Sequence, residues 1–402
     1  MSTQNMGRVG ADRLAEAGIS LVELLVGLVV TSLLAIAVFS FFLNTSQGIS
    51  QQNASGEMWQ RGRNALALMR QAIESAGYGL PSYSQCPNGV IDSTTNGVGT
   101  AGALVAITAS TQSSGSGYDP STTAGINTYA FSTVIGGGAF GGAPTTTVNS
   151  QQGVNLQVQS LNNLQPGDLA LISLPGTGVC VFGQMTNVAG KGTLNTDCSV
   201  TGGGNSQGSS GTVVFNSGKG NSVCFQANPN QIFSQVNPTT GGTLNSAAFQ
   251  GASLYDLGAN QFLFETFAIQ ENPAGGTPTL VMTQYTGLQG TPPTPQPLAT
   301  GVVDMQLRYG VGSNGQVQNW IRPENYTPSA TQQIVAVQLA MLIRSDRYLQ
   351  NSLSPASFNI LGDTYTVPTQ NGPGCLQGNC RHYSYHLFQT VVPVRNGIWS
   401  TQ

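Results

Sequence analysis

Glu23 is the residue whose type and position point most directly to chemistry, because its carboxyl group comes directly before an uncharged apolar run. The run, LLVGLVVTSLLAIAVFSFFL, occupies residues 24–43 and contains no proline. As a helix it would be about 30 Å long, the thickness of a bilayer core. A carboxylate at or within that layer is costly unless it is paired or neutralised, so we predict a functional role for Glu23.

Six cysteines form the next candidate sites, and all of them follow the apolar run. An even number of cysteines in an exported domain predicts disulfide bonds, whereas a zinc site would need closer pairing or histidine partners. The spacing predicts a local loop, then a hairpin-like excursion, and the third bond follows by elimination: Cys375–Cys380, Cys180–Cys198 and Cys86–Cys224.

His382 and His386 are the two histidines of the chain. Placed four residues apart on an expected strand, they share a face with Ser384, opposite Tyr383 and Tyr385. This pattern predicts the polar face of a strand. A metal pair is the alternative, but no acidic ligand stands nearby in the sequence. Because the chain has so few histidines, histidine-based acid–base catalysis is not expected.

Two glycine motifs resemble active-site sequences but lack the required context. Residues 97–102 (GVGTAG) precede a strand-like run where a dinucleotide site needs a helix, and residues 204–208 (GNSQG) have no strand before them. Both matches are expected by chance in a chain with 52 glycines. No carboxylate pair or calcium loop stands out. The sequence therefore predicts no catalytic residue, no metal and no cofactor, and the protein is not expected to be an enzyme.

The charge content restricts the partners of the protein. The 402 residues include 13 Lys and Arg and 16 Asp and Glu, which is 7% charged residues and a net charge of -3. Ordinary soluble domains carry about 25%. Without a basic surplus, nucleic-acid binding is not expected. A mean hydropathy close to zero excludes a polytopic membrane protein.

The flanks of the apolar run predict its orientation. Arg8 and Arg13 precede it, and no charged residue follows until Glu57. The positive-inside rule places residues 1–18 in the cytoplasm and the rest outside it. A secretory signal peptide would have a shorter apolar region and a small-residue cleavage site. A plain membrane anchor would leave Glu23 unexplained.

Helical spacing continues beyond the apolar run and stops near Gly77. The prediction is one helix over roughly residues 20–76, whose second half lays one face on a globular domain. The apolar residues at helical intervals that support it are Met58, Ala65, Leu66, Met69 and Ile73.

The remainder of the chain predicts β-structure in two parts. Residues 82–250 are rich in Gly, Ser, Thr and Asn, with short strand-like pieces at residues 103–108, 156–158, 169–174, 179–182 and 212–215. A partly disordered insert is the alternative, mainly for residues 109–125 and 199–211. Stronger strand patterns follow at residues 262–269, 279–285, 303–309 and 334–344. Residues 303–309 alternate strictly, which is typical of a half-buried strand.

Four segments carry a resemblance to a known family. EAGISLVE, residues 16–23, followed by the apolar run, resembles the class III signal of type IV prepilins. Three further segments resemble PilW-type minor pilins: MRQAIESAGYGL (69–80), QQIVAVQLAMLIRSDR (332–347) and RHYSYHLFQTVVPVRN (381–396). The resemblance covers about the first 80 and the last 70 residues. It leaves the middle, residues 82–250, without a match.

The resemblance implies how the N-terminus is processed. A prepilin peptidase would cut between Gly18 and Ile19, and the new N-terminal Ile19 would be methylated. Glu23 would then be the fifth mature residue, and it would pair with the α-amino group of Ile19, in its own chain or a neighbouring one, to set the register between subunits. The alternative is that Glu23 snorkels to the membrane surface.

The resemblance also implies a fold class and a division of the chain. The fold would be α+β and pilin-like, with a long helix packed on a β-rich, mainly antiparallel domain that has long Gly/Ser/Thr loops. The expected parts are a leader (1–18), the pilin helix (19–77, transmembrane over 24–43), a β region of open role (78–254) and a C-terminal sheet region (255–402).

The implied function is that of a minor pilin, which primes assembly of a type IV pilus near its tip and supports motility or adhesion. Expected partners are other minor and major pilins, the peptidase and a tip adhesin. The chain would lie in the inner membrane with its C-terminus in the periplasm, and then in the extracellular pilus. The alternatives are a minor pseudopilin of a type II secretion system and a membrane-anchored adhesin or binding protein.

Overall fold

The computed structural model describes residues 20–81, 86, 90–92, 105–112, 118–137, 145–195, 197–202, 210–215, 245–259, 262–271, 276–286, 293–329, 332–349, 353–375 and 378–395. The chain divides into two compact units, residues 1–54 and residues 55–402. All the described strands belong to the second unit.

Helix α1 (Leu21–Ser75) is continuous over 55 residues, close to the expected range of 20–76. It ends before Gly77, whose positive φ of 79° is a backbone conformation that glycine adopts without steric cost. The amide of Gly77 donates to the carbonyl of Val134 over 2.7 Å. The end of the helix is thereby tied directly to the β-rich unit.

Most of the described strands are short, and the strand expected at residues 103–108 is observed at Ile107–Thr111 instead. For β5, β6, β7, β11, β13, β14 and β18, the first and last residues expected from the sequence are within two residues of the observed ones. The strands are β1 (Val90–Asp92), β2 (Ile107–Thr111), β3 (Tyr129–Ile135), β4 (Thr146–Gln152), β5 (Asn155–Val158), β6 (Leu169–Ser173), β7 (Cys180–Gln184), β8 (Asn187–Val188), β9 (Gly192–Leu194), β10 (Val200–Thr201), β11 (Gly211–Val214), β12 (Ser253–Gly258), β13 (Leu263–Glu271), β14 (Pro278–Thr286), β15 (Gln296–Thr300), β16 (Val302–Ser313), β17 (Gln316–Ile321), β18 (Gln333–Arg344), β19 (Ser357–Ile360), β20 (Asp363–Thr366) and β21 (Tyr385–Pro393).

Within the part of the chain that the structure describes, the other helical elements are helix α2 (Ser121–Ala124) and the 3₁₀ turns Ser246–Phe249, Pro323–Asn325 and Cys380–His382.

The main core lies among α1 and two antiparallel sheets. One sheet has the strand order β15-β14-β13-β3-β2, and the other has the order β17-β16-β18-β21. Residues 55–75 of α1 contribute one buried stripe to this core, as the helical spacing predicts: Met58, Ala65, Met69, Ala72 and Ile73. The second half of α1 is therefore held by burial of an apolar face.

The Gly/Ser-rich middle folds into a small closed barrel. β6 pairs with β12, β12 with β4, β4 with β5, β5 with β11, and β11 with β8. The ring closes because β8 follows closely on β7 in the chain, and β7 pairs with β6. Buried apolar side chains such as Leu156, Ile172 and Leu254 form its core. A closed ring leaves few free strand edges, which suits a segment with so few charges.

The barrel is an insertion in the five-stranded sheet. β3 and β13, which flank it in the sequence, are paired neighbours, with Phe131 opposite Phe267 and Ile135 opposite Leu263. The expected boundary between residues 254 and 255 is therefore wrong, because it falls inside β12 and separates residues 107–135 from the sheet they belong to. A shift in composition does not report which distant strands pair.

Strand β16 corrects a second expectation. The alternation in residues 303–309 predicts a half-buried strand, but the polar side chains Asp304, Gln306 and Arg308 are buried as well. The hairpin β19–β20 and the chain up to Tyr383 pack on this second face, around Val303 and Leu342. Alternation shows which side chains share a face, but it cannot show that a distant segment covers that face.

Candidate functional site

Glu23 lies in the first turn of α1, and its side chain is exposed. The helix starts with a hydrogen bond from the amide of Leu24 to the carbonyl of Ser20, 3.1 Å. A carboxylate at this position faces the positive end of the helix dipole, which is favourable. Gly18 and Ile19 lie outside the described residues, so the expected cleavage site and the pairing of Glu23 with the Ile19 amine stay predictions.

The apolar stretch Leu21–Phe42 is long and apolar enough to cross a membrane, the one such helix among the described residues. None of it is buried by the rest of the protein. Its hydroxyl groups are satisfied inside the helix: Thr31 Oγ1 donates to the carbonyl of Gly27 over 2.7 Å, and Ser32 Oγ to that of Val29 over 2.8 Å. Because these polar groups need no outside partner, the stretch suits an apolar environment and is a candidate membrane anchor.

The second half of α1 is attached to the β-rich unit by aromatic and charged contacts. The ring of Trp59 lies 3.7 Å from that of His386 and 5.2 Å from that of Phe388, measured between centroids. Arg61 forms an ion pair with Asp346. Glu74, near the end of the helix, pairs with Arg70 at 2.6 Å and with Arg395 at 3.5 Å.

The disulfides only partly follow the predicted pairing. The structure joins Cys375 to Cys380, as the spacing predicts. It also joins Cys86 to Cys180, with 5.3 Å between their Cα atoms, so the predicted bonds Cys180–Cys198 and Cys86–Cys224 are wrong. The reason is that β1 lies parallel to β7, and this pairing brings the segment after α1 to the barrel. Cys198 is also disulfide-bonded, while Cys224 lies outside the described residues.

The two histidines do not share a strand, which corrects the expected polar face. His382 belongs to the 3₁₀ turn Cys380–His382, and its Nδ1 lies 3.0 Å from the carbonyl oxygen of Leu349. His386 lies on β21 under the ring of Trp59, where partial burial lowers its pKa. Among the described residues, no group of three His, Cys, Asp or Glu side chains could hold a metal ion. Both glycine motifs lie outside that part of the chain.

Two carboxyl groups come together that the sequence analysis missed, Asp168 and Asp256. Burial, followed by the charge of Asp256, raises the pKa of Asp168 to about 8, and burial raises the pKa of Asp256 to about 6, while Lys191 opposes both shifts. Each side chain also accepts a turn amide: Gln165 donates to Asp168 over 2.7 Å and Gly258 to Asp256 over 2.9 Å. The pairing of β6 with β12 creates the contact, so no local pattern signals it.

An apolar N-terminal helix followed by a β-rich, mainly antiparallel unit is consistent with a pilin-like α+β fold. Residues 266–396, from β13 to the end of β21, match the model of the family described as type IV pilus-assembly protein W, PilW. This match covers about a third of the chain. It confirms the resemblance to PilW-type pilins and supports a pilus-related protein.

A type IV-like pilin from Thermus thermophilus is 16% identical, with 34% of this chain and 70% of that chain covered and a TM-score of 0.21. A score this low does not establish a shared fold. No curated protein sequence matches the chain.

Proposed function

We propose that this protein is a minor pilin of a type IV pilus, held in the inner membrane and then incorporated into the filament. The observation that carries the proposal is the position of Glu23 in the first turn of a helix that is apolar over Leu21–Phe42. Glu23 is the fifth residue after Gly18, and the resemblance places the peptidase cut directly after Gly18. The PilW match over residues 266–396, near the other end of the chain, also supports a pilus-related function.

The mechanism is assembly. Cleavage after Gly18 frees the amine of Ile19 and removes the leader with its positive charges. In a bundle of apolar helices the carboxylate of Glu23 must find a cation, because an unpaired buried charge is costly. The amine of Ile19 on a neighbouring subunit supplies it only at one axial offset. This pairing therefore selects the register between subunits.

The size of the β-rich unit favours a low-copy subunit near the tip. The unit contains the inserted barrel and the sheet β17-β16-β18-β21 with the hairpin β19–β20 packed on it. It is therefore far larger than a repeating shaft subunit needs to be. A bulky head fits best where it does not stack against copies of itself. Other pilins and a tip adhesin are the proposed partners, and priming of assembly is the proposed role.

N-terminal mass spectrometry of the mature protein tests this function most directly. We expect a chain that begins with N-methylated Ile19. An intact chain beginning at Met1 would contradict both the pilin and the pseudopilin, and would favour a membrane-anchored adhesin. If cleavage is found, deletion of the gene separates the two remaining functions: loss of pili supports the proposal, and loss of secretion with normal pili contradicts it.

A further inference from the structure

Arg344, at the end of β18, is a buried cation whose contacts are all neutral groups. The residue is 6% exposed. Nη1 donates to the carbonyl of Gly374 and lies 3.4 Å from Sγ of Cys380, while the guanidinium carbon lies 4.4 Å from the ring centroid of Tyr383. Nε has no hydrogen-bond partner among the described residues. None of the ion pairs in that part of the chain includes Arg344.

The acidic groups around this site are engaged elsewhere or are neutral. Glu271 accepts the amide of Gly374 through Oε1. Asp304 accepts from Nε2 of Gln306, and burial raises its pKa to about 7. The tyrosines facing the site, Tyr118 and Tyr385, have pKa values raised above the ordinary value, chiefly by burial, so they are uncharged at neutral pH.

Cys380 is the group at this site that can become a close counter-ion for Arg344. Its sulfur is closer to the guanidinium than any described carboxylate oxygen, because none lies within 4.0 Å. A disulfide sulfur is neutral, whereas a cysteine thiolate next to a cation is strongly stabilised. A buried cation without a counter-ion is costly, and the thiolate would remove that cost.

We propose that Cys375–Cys380 is a redox site whose reduced form is stabilised by Arg344. A dithiol reductant supplies two electrons and two protons. The S–S bond breaks, the reductant becomes a disulfide, and both protein cysteines become thiols. Cys380 then loses its proton to solvent and forms an ion pair with Arg344. Because the oxidised form lacks this ion pair, Arg344 raises the reduction potential of the bond.

Reduction of the Cys375–Cys380 bond would loosen the segment that packs on the sheet formed by β16 and β18. Cys375 and Cys380 belong to the cluster that covers the second face of β16 and β18, together with Val303 and Leu342. The carbonyl that holds Arg344, that of Gly374, directly precedes Cys375. Reduction thus frees the segment that covers the face. The bond Cys86–Cys180 lies in a different cluster, with Val90 and Phe182, and serves as an internal reference.

The test measures how easily each bond is reduced in the full-length protein in detergent. The protein is equilibrated with buffers of oxidised and reduced dithiothreitol, its thiols are alkylated, and each disulfide is quantified by peptide mass spectrometry. We expect Arg344→Met to make Cys375–Cys380 harder to reduce by about tenfold in the equilibrium constant, or about 30 mV for a two-electron couple. Cys86–Cys180 should not change. An unchanged Cys375–Cys380 equilibrium in Arg344→Met overturns the proposal.

Arg381→Met is the matched control. Arg381 is the next residue after Cys380, but its Nε donates to the carbonyl of Ser354 over 3.0 Å. This variant removes the same charge without removing the contact to sulfur, so it should leave the equilibrium unchanged. An equal shift in both variants would show a general charge effect and would also overturn the proposal.

A second measurement remains informative if Arg344→Met disturbs the fold. In Cys375→Ser, Cys380 is left as a thiol beside an intact Arg344. Its ionisation is followed by the Cβ chemical shift of ¹³C-labelled cysteine as the pH is changed. We expect a pKa below the ordinary value of about 8.5. A pKa at or above that value contradicts the proposal.

Discussion

Gly62 on α1 lies directly against the ring of Phe388 on β21. A Cβ atom built at Gly62 would lie 2.3 Å from Cε2 and 2.4 Å from Cζ of that ring, distances that real Cβ atoms do not show. The same ring meets the edge of Trp59. A glycine in the middle of a helix is unfavourable by itself, so its presence here reflects the close approach of helix and sheet.

Gly62→Ala should therefore destabilise the β-rich unit, by about 1–3 kcal/mol, because the ring of Phe388 must leave its position. Chemical denaturation of the full-length protein in detergent, followed by near-ultraviolet circular dichroism, measures this. Gly56→Ala is the matched control, since nothing lies within 4 Å of a Cβ built at Gly56. That variant should stabilise α1 by about 0.5–1 kcal/mol. A Gly62→Ala protein as stable as Gly56→Ala would contradict the packing argument.

Asp304→Asn should weaken the dependence of stability on pH. Burial raises the pKa of Asp304 to about 7, and hydrogen bonds from Gln306, Thr128 and the Met305 amide only partly oppose this. Since the folded-state pKa lies above the ordinary value of about 3.9, the folded protein favours the protonated form. This stabilisation is fully present below about pH 4 and is lost as the pH rises through about 7. Urea denaturation at pH 5, 6, 7 and 8 should show a smaller decline in the variant.

Other carboxyl groups also contribute to the decline of stability with pH, and one exposed carboxyl group offers a control. Asp168 and Asp256 also have raised pKa values, so the variant should keep part of the decline. Asp197→Asn provides a control, because Asp197 is exposed and its pKa is lowered by hydrogen bonds from Ser199. That substitution should not reduce the decline. Identical pH profiles for wild type and Asp304→Asn would mean that the buried carboxyl group does not titrate as proposed.

Loss of the Cys86–Cys180 bond should loosen the barrel in particular. The bond joins residues 94 apart in sequence, and removal of such a crosslink costs about 2–5 kcal/mol. The double variant Cys86→Ser/Cys180→Ser avoids a free thiol. Hydrogen exchange followed by mass spectrometry should show faster exchange in residues 145–195. Cys375→Ser/Cys380→Ser, which opens a loop with a separation of only 5, should leave exchange in the barrel unchanged. Equal protection in all three proteins would argue against a stabilising role of the longer crosslink.

Glu23→Val should separate processing from assembly. The substitution leaves the bond between Gly18 and Ile19 accessible, so the mature chain should still begin at Ile19. The register pairing is lost, and the amount of the protein in sheared filaments, measured by immunoblot, should fall at least about tenfold, the loss expected from a buried ion pair. Glu57→Val, at an exposed position of the same helix, should be incorporated normally. Incorporation of Glu23→Val at the wild-type level would disprove the register argument.

The extent of α1 could be predicted from the sequence because its causes are local. Apolar residues at helical spacing, the absence of proline and the glycines that follow Ala76 act within one or two turns of chain. The loop closed by Cys375 and Cys380 has the same character, since five residues of separation leave few alternatives. Strands such as β6 and β18 are equally predictable, because their composition and turn signals are local.

Tertiary structure alone decided how these pieces are combined. The pairing of β3 with β13 across the inserted barrel, the bond from Cys86 to Cys180, and the contact between Asp168 and Asp256 all join residues far apart in the chain. The same holds for Asp304 and Arg344, whose burial depends on a segment that reaches the sheet only after the chain returns to it. The physical reason is that periodicity records which side chains share a face, while burial and pairing depend on which distant surface finally covers that face.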